Sequence, residues 1–528
     1  MKYCSLYKMA VACSLMVVLL TACFDDKGNY DYREINDVTI EGISRDKVYE
    51  LFAYQSTLEI TPVIHSTIGD GADYEYTWRI VPRNATDENG TLDKYVVSHE
   101  KNLVYPVQLE DGDYTGFFEV KDPETGVTWI VDFYMQVKSQ GSEGWLAVCE
   151  DNGRTRLDLI GKNSDGEDVL FADLWRNNDF EMGTPQKFFF VGDNYGSSFR
   201  FPILTTDKGT YSIMGNDFHI GEDTDMKWYF GLGGDKVNIA QTAVELYTAS
   251  WIPSWWVINE KGEIYQTEEF SDRAFFSYPI NKLDGQTEFE AAPYLGISYT
   301  YNDTGADWDY NYATVLYDKT NRRFLSKYAA NNYPSLMKCS GNQLFEVETG
   351  RDMVYMDSHV EVDGLVVAVL KDPSAPEYYL YGLTLGYGKI EQTYYGKIGG
   401  PVADAKFFAL HPVYNSLFYG TKNKVYRVSL SDPEKEPVEV VSLEGEEIVT
   451  MKFNKILGYY EDTTPEVKDY MDMLLVGTHK ETAPEGEENV GTFRLYEIPS
   501  LATGTVTEKK KIEGLGKIVD IVYKERAS

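Results

Sequence analysis

At 528 residues the chain is long enough for two to four domains, and 43% hydrophobic with 25% charged residues is an ordinary globular balance. Its formal net charge of −35 repels phosphate backbones, which argues against a nucleic-acid partner and against a polybasic membrane contact. The 41 Tyr, 25 Phe and 9 Trp favour β structure and aromatic recognition surfaces. The first predicted element is a targeting segment. Lys2 and Lys8 lead into an apolar run over residues 9–20. That run is shorter than the roughly 20 residues a membrane-spanning helix needs, and it fits the hydrophobic region of a secretory signal. Small Thr21 and Ala22 follow, then Cys23, then Asp25 and Asp26.

The string "LLTAC" at 19–23 resembles the bacterial lipoprotein signal. The resemblance implies a signal peptide over 1–22, cleavage before Cys23 and lipidation of that residue. Asp25 and Asp26 resemble the export signal of Bacteroidetes surface lipoproteins, which implies the outer face of the outer membrane. Lipid chains contribute about 0.8 kcal/mol of membrane affinity per buried CH2, so several chains hold firmly. The anchor would then be the only membrane contact. Cys4 and Cys13 leave with the signal, so only Cys149 and Cys339 remain, too few for a disulfide framework. Cys149, in "WLAVCE", reads as a buried thiol, with a bridge to Cys339 left open.

Residues 23–36 read as a polar tether. Alternating runs then predict strands at 38–43, 57–64, 74–81, 114–122 and 128–137, with Tyr74, Tyr76, Trp78 and Ile80 on one face. Turn residues at 69–71, 89–90, 111–112 and 124–126 separate them. This spacing predicts a β-sandwich over 37–139, with Gln140-Gly141-Ser142 as linker. "EKNLVYPV" at 100–107, "GDYTGFFEVKDPETGV" at 112–127 and "SEGWLAVCEDNGRTRLDLI" at 142–160 resemble the PKD-like lipoproteins of Bacteroidetes. The resemblance implies an Ig-like N-terminal domain, a C-terminal β-propeller, and SusC/SusD-type importers as partners.

The remaining residues, 143–528, predict a propeller on their own pattern. Strand–turn–strand units recur at "LTTDKGTYSI" (204–213), "WWVINEKGEIYQ" (255–266) and "LFYGTKNKVYRV" (417–428), with "MKCSGNQLFEV" (337–347) a looser copy. Their turns call for residues tolerant of positive φ. Strand clusters centre near 145–160, 187–215, 251–270, 312–347, 364–398, 405–442 and 448–523, which suits seven four-stranded blades. Six or eight blades, or two stacked sandwiches, are the alternatives. "GKIVDIVYKE" at 516–525 is expected to pair near residue 145 and close the ring, removing exposed sheet edges. The fold class is therefore all-β, an Ig/PKD-like sandwich followed by a propeller.

Motifs that carry chemistry are absent from the sequence. His65, His99, His219, His359, His411 and His479 are scattered, and neither a zinc spacing nor a nucleophile elbow occurs. "TTDKGTYS" at 205–212 partly matches an Asp-box and reads as a turn. Asp307, Asp309 and Asn311 alternate as calcium ligands do, with Asp318 in the twelfth place, but Tyr312 stands where the loop needs Gly. No cofactor is expected. The stronger candidate is "YTYNDTGADWDYNY" at 299–312. There Tyr299, Tyr301, Trp308, Tyr310 and Tyr312 could stack on sugar rings or peptide side chains beside orienting amides and carboxylates. Trp251, Trp255 and Trp256 form a second candidate, with inter-blade packing as the alternative use. The reading is a non-catalytic surface lipoprotein that captures oligopeptide or glycan beside its importer. A propeller glycoside hydrolase or lyase, and a scaffold without its own ligand, are the alternatives.

Overall fold

The computed structural model describes residues 36–525 apart from 54–55, 68–72, 84, 86–91, 110, 139–140, 142, 164–165, 193–199, 217, 232–235, 246–253, 268–270, 272–273, 299–312, 329–330, 360–363, 387, 456–464, 483–486 and 501–504. Two compact units divide the chain, mainly between Met135 and Gln136.

The first unit is the sandwich. A five-stranded sheet runs in the order Val48–Phe52, Thr128–Lys138, Gly112–Lys121, Glu75–Pro82, Val96–Ser98. Two smaller pairs accompany it, Val38–Glu41 with Val63–Ser66 and Thr57–Ile60 with Leu103–Pro106. The predicted strand 57–64 is thus two strands, split at Thr61-Pro62, because Pro has no N–H for a ladder. Period 2 decides what is inside: Trp78 and Ile80 are buried, and Trp78 stacks on Phe118 at 4.2 Å. Phe133 lies directly over Gly116, where a Cβ would fall 2.1 Å from the ring, so only glycine fits there.

Seven antiparallel blade sheets follow among the described residues, each taken from one stretch of chain except the first, with a further two-stranded pair, Lys282–Leu283 with Thr287–Glu288, between the third and fourth. The first blade contains Gly144–Asp151, Arg154–Lys162 and Asp168–Phe171, completed by the last strand, Lys517–Lys524. The second contains Pro185–Val191, Phe201–Thr206 and Thr210–Ser212, and the third Ile239–Glu245, Ser254–Asn259 and Ile264–Thr267. In the fourth, Ala313–Asp318, Arg323–Tyr328 and Ser335–Leu336 are joined by a bridge from Gly296 to Val315. The fifth runs Asp352–Ser358, Leu365–Lys371, Tyr378–Gly386, Lys389–Lys397. The sixth runs Phe407–Leu410, Ser416–Gly420, Lys424–Ser429, Val438–Ser442. The seventh runs Glu446–Phe453, Met473–Lys480, Gly491–Glu497, Thr507–Leu515. One short α-helix, Pro465–Met471, lies between the first two strands of the seventh, and its Tyr470 packs on Trp145 and Tyr523.

The ring closes as expected: Trp145 pairs with Tyr523 and Glu150 with Lys517. Buried charge locks this closure. Asp158, fully buried, accepts hydrogen bonds from Arg156 Nε (2.7 Å), the Asp173 amide (2.8 Å) and the Gly516 amide (2.8 Å), the last at the mouth of the closing strand. At its other end Glu525 pairs with Arg200 of the second blade at 3.4 Å, both side chains buried.

Three expected turns, 207–209, 260–262 and 422–424, each lie between the second and third strands of a blade. Of these only Gly262 has positive φ (74°), and the other two turn without it. Residues 337–347 are not a strand hairpin. They run along the fifth blade's outer strand, where the Ser340 amide donates to Ile390 O (2.8 Å) and Gln392 Oε1 accepts from the Leu344 amide (2.6 Å). The fourth blade's hairpin is instead Ala313–Asp318 with Arg323–Tyr328.

Candidate functional site

The innermost segment of each blade faces the propeller axis, so six inner strands and the fourth blade's segment around Gly296 surround a common space. That space is a cavity of about 240 Å³. Every blade contributes to its wall: Val522, Phe190, Thr242, Leu295, Asp357, Phe408 and Lys455, from the first blade to the seventh. Aromatic and aliphatic side chains make up about half of the exposed wall and polar groups the rest.

The polar groups are held from behind. Asp357 accepts from the Tyr355 hydroxyl at 3.1 Å and from the Ser358 amide at 2.8 Å, and it forms an ion pair with Lys455 of the seventh blade. Tyr355 is itself fixed, its oxygen accepting from the Leu410 amide at 2.8 Å. Lys452, also in the wall, pairs with Asp520 of the closing strand at 2.7 Å, and Asp520 accepts from Thr450 at 2.9 Å. Thr242 accepts from Trp255 Nε1 at 2.8 Å and donates to Trp256 O at 3.0 Å.

Two buried imidazoles lie where inner strands of the fifth and sixth blades end. His411 Nδ1 accepts from the Val413 and Tyr414 amides at 3.1 and 3.0 Å, and its ring stacks on Tyr414. Burial pushes its pKa down to about 3, and the nearby His359 and Arg427 push in the same direction. Burial pushes His359 down to about 4. Both are therefore neutral at pH 7.

Trp255 and Trp256 are not a ligand face. Both are enclosed, at 0% and 1% exposure. Neighbouring residues on a strand point to opposite faces, and both faces of a blade are covered by other blades. Trp255 packs edge-on against Phe276 and Tyr229, while Trp256 joins Ile258 and Phe289 in a separate cluster and donates to the buried Glu245 at 2.9 Å. Their role is to hold the third blade's inner strand, including Thr242 in the cavity wall. Cys23, Asp25, Asp26, Trp251, Tyr299, Tyr301, Asp307, Trp308, Asp309, Tyr310, Asn311 and Tyr312 lie outside the described residues. Asp318 is described. It is fully buried, and its carboxylate accepts from the Asn321 amide (2.9 Å), Asn321 Nδ2 (2.8 Å) and Arg323 Nε (2.9 Å), so it closes a turn. Among the described residues no acidic, His and Cys group is arranged to hold a metal, no helix is long and apolar enough to cross a membrane, and Cys149 and Cys339 are free thiols. Burial and the adjacent Asp158 raise the Cys149 pKa well above its usual value.

The sandwich strands and the first blade's opening strands now have a counterpart among known proteins. Residues 23–181 match the PKD-like family. The PKD-like match begins at Cys23, takes in the sandwich and includes the first blade's strands up to Phe171. No curated protein matches the chain. Among solved structures it is similar to a quinonprotein alcohol dehydrogenase-like protein from Bacteroides thetaiotaomicron. Identity there is 11% over 91% of this chain and 97% of that one, with a TM-score of 0.40. A protein from Lactobacillus plantarum is 10% identical over 72% of this chain and 99% of its own, with a TM-score of 0.40. The WD40 domain of SCAP from fission yeast is 11% identical over 62% and 74%, with a TM-score of 0.31.

Proposed function

We propose that this PKD-like protein is a lipoprotein of the outer-membrane surface, anchored through Cys23 and exported on Asp25 and Asp26. It serves as a non-catalytic accessory to a SusC/SusD-type importer and captures oligopeptide or glycan. The observation that carries the reading is the axial cavity, a mixed wall built by all seven blades with its charges held by neighbours. Such a site binds without needing a reacting constellation. The start of the family match at Cys23 supports a mature chain beginning there. A ligand held beside an importer has a raised effective concentration, which is the gain a tethered binder offers. The stretch 299–312 carries the aromatic residues proposed to add contacts.

Two measurements test this. Mass spectrometry of native material is expected to show an acylated Cys23, and added protease is expected to remove the protein from intact cells. A bare N-terminus, or full protection, contradicts the surface assignment. Trp308→Ala with Tyr310→Ala is expected to weaken ligand retention at least tenfold; unchanged retention removes these residues from the site.

A further inference from the structure

The cavity's charge arrangement says which ligands it can take. Its charged side chains are all paired: Lys455 of the seventh blade with Asp357 of the fifth, and Lys452 with Asp520. These side chains are only 18–32% exposed. Separating one such charge from its partner carries a cost in a partly shielded site, because it leaves a part-buried charge unpaired. A singly charged ligand entering between Asp357 and Lys455 would satisfy one and strand the other. A zwitterion would not. Its ammonium replaces Lys455 on Asp357, and its carboxylate takes the released Lys455 ammonium, with Lys452 close in the same wall. Every charge stays paired.

Asp357 is suited to the exchange. The Tyr355 hydroxyl and Ser358 amide hold it from the protein side, so it keeps its place when Lys455 turns away. Size points the same way. About 240 Å³ is below the 300–1,000 Å³ typical of pockets for drug-sized ligands, which limits the occupant to something small. Phe188, Phe408 and Phe453 supply apolar wall for a side chain. We infer that the axial cavity binds a small zwitterion of the amino-acid or dipeptide class, inserted into the Asp357–Lys455 ion pair. The inference rests on the capture reading above and narrows what the cavity itself holds from oligopeptide or glycan to this smaller class.

The test is calorimetric titration of the full mature chain with L-alanyl-L-alanine, its N-acetyl form, its C-terminal amide and glucose. Binding of the free dipeptide is expected, weakened at least tenfold by blocking either end. Asp357→Asn combined with Lys455→Met removes both charges together, so it strands neither and should fold. That variant is expected to lose dipeptide binding while keeping the wild-type unfolding midpoint within a few degrees. Blocked dipeptides binding as well as the free one, or the double variant binding normally, overturns the inference. Binding of glucose alone overturns it but leaves capture standing. No binding of any probe at millimolar concentration removes both.

Discussion

Asp158→Ala is expected to lower the propeller's unfolding free energy by about 3–5 kcal/mol, the usual cost of breaking a buried ion pair from one side. The substitution strands the Arg156 guanidinium, whose side chain is 3% exposed, and leaves the amides of Asp173 and Gly516 without their acceptor. The Gly516 amide matters most, since it fastens the entry of the closing strand. Removing both charges, as Asp158→Leu with Arg156→Met, is expected to cost less than Asp158→Ala alone. A chain ending at Leu515 goes further and bares the edge of Gly144–Asp151, so association through that edge is expected. Urea unfolding monitored by tryptophan fluorescence measures the first effect, and sedimentation measures the last. An Asp158→Ala midpoint equal to wild type would show that closure does not depend on this carboxylate.

Acidification from pH 7 to pH 5 is expected to cost the folded propeller about 4 kcal/mol through His359 and His411. The sign follows from where each proton goes. Burial holds the folded pKa values near 4 and 3, below the 6.5 of an unfolded imidazole. Between these values the unfolded chain binds protons that the folded chain refuses. Stability is therefore complete above pH 6.5 and falls as the pH drops through 6.5 towards 4. Lys455, Asp357 and Arg427 act on this pair, and the lysine and arginine oppose added positive charge. Below about pH 4, carboxylates held low by their partners, Asp168 and Asp173 among them, add to the loss as they protonate. Denaturant unfolding at pH 7.0, 6.0 and 5.0 is the measurement. The His359→Gln and His411→Gln variants should each flatten the slope over this window, whatever they do to stability at pH 7. A wild-type curve flat from pH 7 to 5 would contradict the account.

The architecture was readable because the signals were local. Alternation in "YEYTWRIV", turn residues such as Glu260-Lys261-Gly262, and the terminal run "GKIVDIVYKE" each report on a few neighbouring residues, and each placed its strand correctly. The fourth blade was less clear. Its innermost segment meets the first strand through isolated bridges, Ala291 with Asp318 and Gly296 with Val315, and residues 337–347 carry apolar residues that pack without pairing as a hairpin. The interior charges were illegible for a different reason. Arg154, Arg156 and Asp158 alternate along one strand as a solvent face would, yet Arg156 and Asp158 are buried because neighbouring blades cover both faces of the sheet. The same covering turned Trp255 and Trp256 from candidate ligand contacts into packing. The cavity itself had no motif to find. Its wall draws a few residues from each blade, from Phe188 to Val522, and only ring closure brings Asp357 and Lys455 together.

Capture without chemistry is tested most directly by incubating the purified mature chain with defined mixtures of oligopeptides and glycans, then identifying by mass spectrometry what stays bound and what stays free. The account predicts selective retention of some components, with every component of the mixture intact. Progressive shortening of any component, or retention of none, would contradict it.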